Sequence, residues 1–410
     1  MSGGRLQVAR DVSDPSRRTK ERARFILARI SLTAILCGIF VAGLWPFCAP
    51  ANQVGWSAEG NGIEFGQHGP GISLGRFELR PGQDNSAGSV EAWLEPHKMA
   101  PSETLLAFDT KEHPGGPFML EQRADALVVE RHNIDARGIC RTGQFAVRNV
   151  FESGRRVHVT IVLMAHHTLV YVNGALAVDS YLIGDSARNL TGRLVLANST
   201  VVDSSWSGEI LGLAVYPERL SADQIARDYK EWTSGGMPKN EADETPLALY
   251  RFDEREGRVA HNAADRQTNI VFPDRYFVLH PRFLTPAWKR FRFGWPGAEY
   301  WQDVMINIVG FLPVGFLLLN YLAQSRAVRH GWMLAIGAGF LMSLTIEVLQ
   351  WFLPTRDSDM TDVITNTLGT ALGAGIYRAP GALKAWNRLC ERLALSWLRG
   401  HRARLEKLAG

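Results

Sequence analysis

The chain has 410 residues, with 45 basic against 41 acidic side chains and a net charge of +4. That length exceeds what one hydrophobic core usually holds, so two folding units are expected. The basic residues gather at the ends of apolar runs and form no stripe, which argues against a nucleic-acid partner. The four cysteines, Cys37, Cys48, Cys140 and Cys390, have no CxxC or CxxH spacing, which argues against a zinc or redox site.

Apolar runs lie at Ile30–Phe47, Val304–Leu322, Trp332–Leu353 and Val363–Tyr377, and the stretch between them, 51–301, reads as soluble, strand-rich protein. About 20 apolar residues cross the hydrocarbon core as a helix; three of the runs approach or exceed that length, and the last is shorter and more polar. The N-terminal "SRRTKERAR" (Ser16–Arg24) places the N-terminus on the cytoplasmic side. The first run is expected to stay as a span. Ala49-Pro50-Ala51 also fits the small-x-small rule of a signal peptidase, and cleavage there leaves the remaining topology unchanged. Cys48 and Cys140 then fall on one side of the membrane outside any span, where a disulfide between them is open but required by nothing in the spacing.

From Asn61 onward, short β-rich runs alternate with turn signals, as in an antiparallel sandwich. "SVEAWLEP" (Ser89–Pro96) alternates its faces. "RRVHVTIVLMAHHTLVYVNGALA" (Arg155–Ala177) reads as two strands across a His-His turn, then a hairpin at Asn173-Gly174. "GEILGLAVYPERLSADQI" (Gly208–Ile225) reads as a strand and the start of a helix capped by Ser221. No acidic cluster of the ExDxxE type occurs. Glu91 and Glu95 share a strand face but stand roughly 13 Å apart, beyond the ~5–9.5 Å of glycosidase pairs, so hydrolysis by this domain is not expected. Loop polar residues that can touch a ligand are Asp109, His113, His166, His167 and Asp203. Asn189 in "NLT" and Asn198 in "NST" match glycosylation acceptors and are read as chance matches.

"WKRFRFGW" (Trp288–Trp295) precedes the second span and suits the headgroup level or an ordinary connector. The second span enters from outside with Asp303 and, one turn deeper, Asn307, and carries Pro313, which removes a backbone donor. "QSRAVRH" (Gln324–His330) marks a cytoplasmic loop. The third span ends with Ser343, Glu347 and Gln350 on one helix face, Glu347 about 9 Å below the end near Leu353. After "PTRDSDM", which contains Arg356, the fourth span starts with Asp362 and Asn366 and continues along that face through Gly369 and Gly373, a GxxxG step for close helix approach. A charge at the centre of a spanning helix costs roughly 2.5–3.5 kcal/mol, so such groups usually face a bundle interior or a cavity. Asp303, Asn307, Glu347, Gln350, Asp362 and Asn366 are therefore expected to line one pocket open to the outside, roofed by Arg356 and covered by the sandwich. Beyond Pro380, apolar residues at Leu383, Trp386, Leu389, Leu393 and Trp397 alternate with Lys384, Arg388 and Arg392, which suits a basic amphipathic helix on the inner leaflet.

"VEAWLEP", "VHVTIVLMAHHTLVYVNGALA" and "GEILGLAVYPERLSADQIARDY", in that order over about Asn61–Trp232, resemble the laminin-G-like, concanavalin A-like jelly-roll family. "LALYRFDEREGRVAHNAAD" (Leu247–Asp265) resembles the opening strand of such a domain and either completes a sandwich edge or starts a degenerate repeat. The resemblance implies ligand recognition, often of glycans and sometimes with calcium; no cofactor is otherwise indicated. Asp303, Asn307, "GFLPVG", "SLTIEVLQ", Arg356, "DMTDVITNTLG" and Gly373, together with Gly43–Phe47, resemble the VanZ-like family, named for a glycopeptide-resistance membrane protein. The long insert between its first and second spans departs from that family.

The expected fold is mixed: a four-helix transmembrane bundle with an all-β jelly-roll sandwich inserted between the first and second spans. Its parts are a cytoplasmic basic tail (1–24), a first transmembrane helix (25–47), the sandwich (52–235), an edge strand and juxtamembrane connector (236–300), transmembrane helices (301–378) and a basic cytoplasmic helix (379–410). Both termini lie inside and the sandwich lies outside a bacterial cell membrane. The leading expectation is a non-enzymatic envelope protein, its sandwich binding a glycan and its outer-leaflet pocket recognising a lipid-linked or headgroup ligand. The alternatives are a membrane-embedded enzyme acting on an envelope glycolipid, with Glu347 as base, Asp362 or Asp303 as acid or cation ligand and Arg356 holding a phosphate, or a scaffold for polysaccharide export. Membrane lipids are the general partner, and the sequence does not fix an oligomeric state.

Overall fold

The computed structural model of the chain describes residues 15–58, 60–79, 86–110, 116–134, 140–184, 186–234, 246–287, 297–324 and 330–392. In chain order the elements are α1 (Pro15–Leu44), β1 (Val54–Trp56), β2 (Ile63–Phe65), β3 (Gly71–Ser73), β4 (Ala87–Pro96), β5 (Glu103–Asp109), β6 (Phe118–Arg123), β7 (Ala126–Ile134), β8 (Cys140–Val147), β9 (Val157–Met164), β10 (Thr168–Val172), β11 (Ala175–Ser180), β12 (Arg193–Leu196), β13 (Gly208–Tyr216), α2 (Ala222–Thr233), β14 (Ala248–Tyr250), β15 (Val259–Ala260), β16 (Ile270–Val271), α3 (Ala298–Gln324), α4 (Gly331–Gln350) and α5 (Met360–Arg378). A further helix, α6, runs from 380 to the last described residue, 392. The chain forms two compact units. One takes Met1–Trp45, Phe283–Phe352 and Ser358–Gly410, and the other Pro46–Arg282 with Leu353–Asp357.

The strands build two antiparallel sheets. One has the order β1-β2-β13-β4-β9-β10-β11 with β14 also on β13; the other runs β15-β16-β3-β12-β5-β6-β7-β8. Alternation along the strands makes the core. Val90, Ala92 and Leu94 of β4 and Val157, Val159, Ile161 and Leu163 of β9 join Leu106, Phe108, Phe118, Leu120, Leu127 and Val129 of the other sheet in one cluster. The β9–β10–β11 run forms as its sequence suggests. Asn173 and Gly174 both take positive φ, 52° and 78°, as a tight two-residue hairpin requires. The 247–265 stretch adds strands to both sheets of the sandwich: β14 pairs with β13, and β15 pairs with β16, which follows the stretch and lies beside β3.

The outward face of the β13-β4-β9-β10 sheet is not solvated. Leu220, Ile225 and Trp232 in and just before α2 cover Val162, Leu169, Tyr171, Ala214 and Tyr216. A capping box fixes where α2 starts, with the Gln224 N–H donating to Ser221 Oγ (3.3 Å) and the Ser221 N–H to Gln224 Oε1 (2.6 Å). Cys48 carries a free thiol, so the Cys48–Cys140 disulfide is not formed.

In the helical unit, Ile35, Leu36, Ile39, Phe40 and Leu44 of α1 pack on Phe311 and Val314 of α3 and Ile346 of α4. α3 and α5 meet backbone to backbone. A Cβ at Gly369 would overlap the Ile308 carbonyl oxygen, one at Gly373 that of Leu312, and one at Gly315 that of Thr370, so the small-residue step works as GxxxG contacts do in membranes. Among the described residues three helices are long and apolar enough to cross a membrane: Phe25–Leu44, Tyr300–Gln324 and Gly331–Gln350. α5 is not among them, because Thr361, Asp362, Thr365, Asn366, Thr367 and Thr370 dilute its hydropathy.

Candidate functional site

The polar residues expected in the spans converge within the helical unit, with one exception. Asn307 of α3 donates through Nδ2 to Asp362 Oδ1 of α5 at 2.9 Å. Asn366 Nδ2 donates to Ser343 Oγ of α4 at 2.9 Å, and that hydroxyl in turn donates to the Asp362 carbonyl at 3.5 Å. Glu347, only 1% exposed, accepts the Asp359 N–H at 2.8 Å and a hydrogen bond from the Ser358 hydroxyl. Gln350 Nε2 donates to the Gly43 carbonyl of α1 at 2.9 Å. Four helices are thereby joined through hydrogen bonds from α4 and α5. Asp303 stands apart, exposed on α3, and Arg356 is exposed in the α4–α5 connection, its N–H donating to the Leu353 carbonyl at 3.0 Å.

The start of α5 owes its position to residues that sequence reasoning passed over. Asp359 is the N-cap, its Oδ1 accepting the Thr361 N–H at 2.8 Å. Thr285 pairs with it from a distant part of the chain: its N–H donates to the Ser358 carbonyl (2.8 Å) and its carbonyl accepts the Met360 N–H (3.0 Å). An acidic residue directly before a helical pattern was the available signal. Within this centre Gln350 Oε1, Thr361 Oγ1 and Asn366 Oδ1 are buried acceptors without a hydrogen-bond partner among the described residues. Such atoms are costly unless a donor reaches them. Of the two carboxylates at this centre, Asp362, half-buried, is more accessible than Glu347, which is committed to the turn.

In the sandwich, the loop candidates divide. Asp109 belongs to the end of β5 and is 3% exposed, with Arg76 Nη2 at 3.7 Å from one oxygen and His280 Nε2 at 3.0 Å from the other. Asp203 accepts the Tyr276 hydroxyl at 2.6 Å. Both anchor the segment after β16, and burial, with Asp203 beside it, raises the Tyr276 phenol well above its ordinary range. His113 lies outside the described residues. His166 and His167 do line an open cleft of about 410 Å³, together with Ser86, Glu218 and Arg219. His167 Nδ1 lies 3.0 Å from Asp179 Oδ1, and its ring lies 5.1 Å from that of Tyr181, which is 72% exposed. Among the described residues no three His, Cys, Asp or Glu side chains are grouped to hold a metal ion.

Residues 255–383 match the family model VanZ/LLP1, a span that starts before α3 and includes β15 and β16. Residues 68–226 match the model of the concanavalin A-like lectin/glucanases superfamily. Protein VanZ of Enterococcus faecium is 32% identical over 77 residues, which is 18% of this chain and 44% of that protein, so the chain spans less than half the length of this relative. Among solved structures, a putative carbohydrate binding protein from Bacteroides ovatus aligns at 15% identity and a TM-score of 0.35, covering 57% of this chain and 62% of its own. The CBM40 of a Ruminococcus gnavus IT-sialidase, solved with α2,3 sialyllactose, aligns at 15% identity and a TM-score of 0.31, covering 41% and 95%. From the family matches and the three membrane-length helices, this is a VanZ-like membrane protein that carries, ahead of its VanZ-like region, a domain of the concanavalin A-like lectin/glucanase superfamily.

Proposed function

We propose that the chain is a non-enzymatic envelope protein in which a lectin-fold domain, outside the cell membrane, binds a glycan while the helices hold it in the bilayer. The observation that carries this reading is the cleft at His166, His167 and Arg219. Hydroxyl, imidazole, carboxylate and guanidinium groups converge there on an open surface, with the broad ring of Tyr181 beside His167. A few placed polar groups with an aromatic face are what a sugar's hydroxyls and C–H faces require.

α5 is read as a fourth span. Ile364, Leu368, Leu372 and Ile376 form one exposed apolar stripe at four-residue steps, while Thr361, Thr365, Asn366 and Thr370 are buried against neighbouring helices. The basic flanks put both termini inside. The polar centre, with Asn307, Glu347, Gln350, Asp362 and Asn366, recognises the polar end of a lipid or lipid-linked sugar.

The test is a glycan array probed with the full-length chain in detergent micelles, with and without calcium. Binding to a defined glycan class, weakened at least about tenfold by His166→Ala with Arg219→Ala, about 1.4 kcal/mol, is expected. No binding by the wild-type chain to any arrayed glycan would remove the recognition function.

A further inference from the structure

Within the helical unit a second cavity, of about 320 Å³, opens between α1, α3, α5 and α6. Its walls are apolar: Ile35 from α1, Leu312, Pro313 and Phe316 from α3, Ile376 from α5 and Trp386 from α6, with the Ser31 hydroxyl as the polar exception. The sequence explains why space remains there. Gly369 and Gly373 bring α5 against the α3 carbonyls of Ile308 and Leu312. One turn further on, Ile376 is exposed and lines the cleft without continuing the close glycine step, and Pro313 has no N–H with which to tighten α3. Trp386 then packs edge-on against Phe316 at 5.8 Å, and Phe316 against Tyr377 at 5.5 Å, closing one side.

We infer that this cleft holds one acyl chain of an anionic phospholipid. An apolar cavity on helices of membrane length is bathed in hydrocarbon, and an alkyl chain fills it without desolvating a polar group. Charge selects the lipid. Arg378 at the end of α5 and Lys384, Arg388 and Arg392 of α6 are all exposed, against one acidic residue in that stretch, Glu391. A basic segment at headgroup level attracts anionic lipid within a Debye length, and a tryptophan between apolar cleft and basic surface suits that level. This site is separate from the polar centre and from the sandwich cleft, so it stands whether or not either binds a ligand.

The test is native mass spectrometry of the full-length chain in mild detergent, titrated with phosphatidylglycerol or with phosphatidylcholine of the same acyl chains. One phosphatidylglycerol is expected to stay bound, with an apparent Kd about tenfold below that of phosphatidylcholine. Ile376→Trp, which fills the cleft from a partly exposed position, should remove that adduct, as should Ser31→Trp from the opposite wall, with helicity by circular dichroism unchanged. Lys384→Glu with Arg388→Glu should abolish the preference between the two lipids. Equal retention of the lipids by the wild-type chain overturns the inference. So does an undiminished adduct in either filling variant that keeps its helicity, or a second copy of the chain occupying the cleft as a lipid-free dimer. Should one filling variant lose helicity, the other decides.

Discussion

Replacing His158 by leucine should abolish a specific pH dependence of the lectin-fold domain. His158 sits on β9, facing away from the sandwich core, and would be solvated were it not covered by α2. It is fully buried, across from Trp93 at 6.4 Å and near Tyr229 of α2 at 5.8 Å, and neither ring nitrogen has a hydrogen-bond partner among the described residues. Glu91 lies one cross-strand pair further along that face, on Thr160. Burial pushes the imidazole down from 6.5 to about 4, so the folded protein holds it neutral. Between those values the unfolded chain binds the proton and the folded one does not. Stability is therefore fully present above pH 6.5, falls as the pH falls, and is lost by about pH 4. At ~1.4 kcal/mol per pH unit, the interval from 6.5 to about 4 comes to about 3 kcal/mol. Urea unfolding of the full-length chain in detergent, followed by tryptophan fluorescence between pH 4 and 7, measures it. The wild-type chain should lose about 3 kcal/mol more than His158→Leu over that range. Parallel pH profiles for the two proteins would show that the imidazole does not titrate as its burial demands.

Further outcomes follow from the helical unit. Gly373→Leu drives a side chain into the Leu312 carbonyl and should cost about 1–3 kcal/mol or more, read as a lower unfolding temperature in detergent by differential scanning fluorimetry; an unchanged temperature contradicts the close α3–α5 contact. Glu347→Ala strips the acceptor from the buried Asp359 N–H and should cost about 1–3 kcal/mol, whereas Glu347→Gln keeps an acceptor and should cost less; equal losses would mean that the bond to the turn is not what Glu347 supplies. Gln350 holds Gly43 and Ile346 packs on α1, so α1 should remain on the mature chain. Intact-mass measurement of protein from membranes decides between this and cleavage at Ala49–Ala51, and Gln350→Ala should destabilise the unit by about 1 kcal/mol.

Local features were the legible ones. Alternation in "SVEAWLEP" and "VHVTIVLM" gave β4 and β9, Asn173-Gly174 gave a hairpin, and Ser221 gave a helix start, because each depends on residues within one turn or strand. One-face spacing likewise brought Asn307, Ser343, Glu347, Asp362 and Asn366 together. What the sequence hid depends on distant partners. Asp109 looked like a loop ligand, but His280 meets it from 171 residues away, and Tyr276 meets Asp203 from 73. Period-two alternation turns His158 away from the sandwich core, and only the return of α2 over that sheet buries it. The order β2-β13-β4 joins strands far apart in the chain, which no local propensity encodes. Asp303 shares a helix face pattern with Asn307 yet lies exposed, since spacing fixes a direction around the helix and not the presence of a neighbour.

The central claim, a membrane-held lectin-fold domain that meets its ligand outside the cell, is tested most directly by labelling. Tyr181→Cys places a thiol beside His167 at a position 72% exposed, in a chain whose Cys37, Cys48, Cys140 and Cys390 are serine. A membrane-impermeant maleimide added to intact spheroplasts should modify Cys at 181 as fully as after permeabilisation, and an extract of the cell's own envelope polysaccharide should slow that modification. Labelling that occurs only after the membrane is opened would contradict the extracytoplasmic placement on which the proposed function depends.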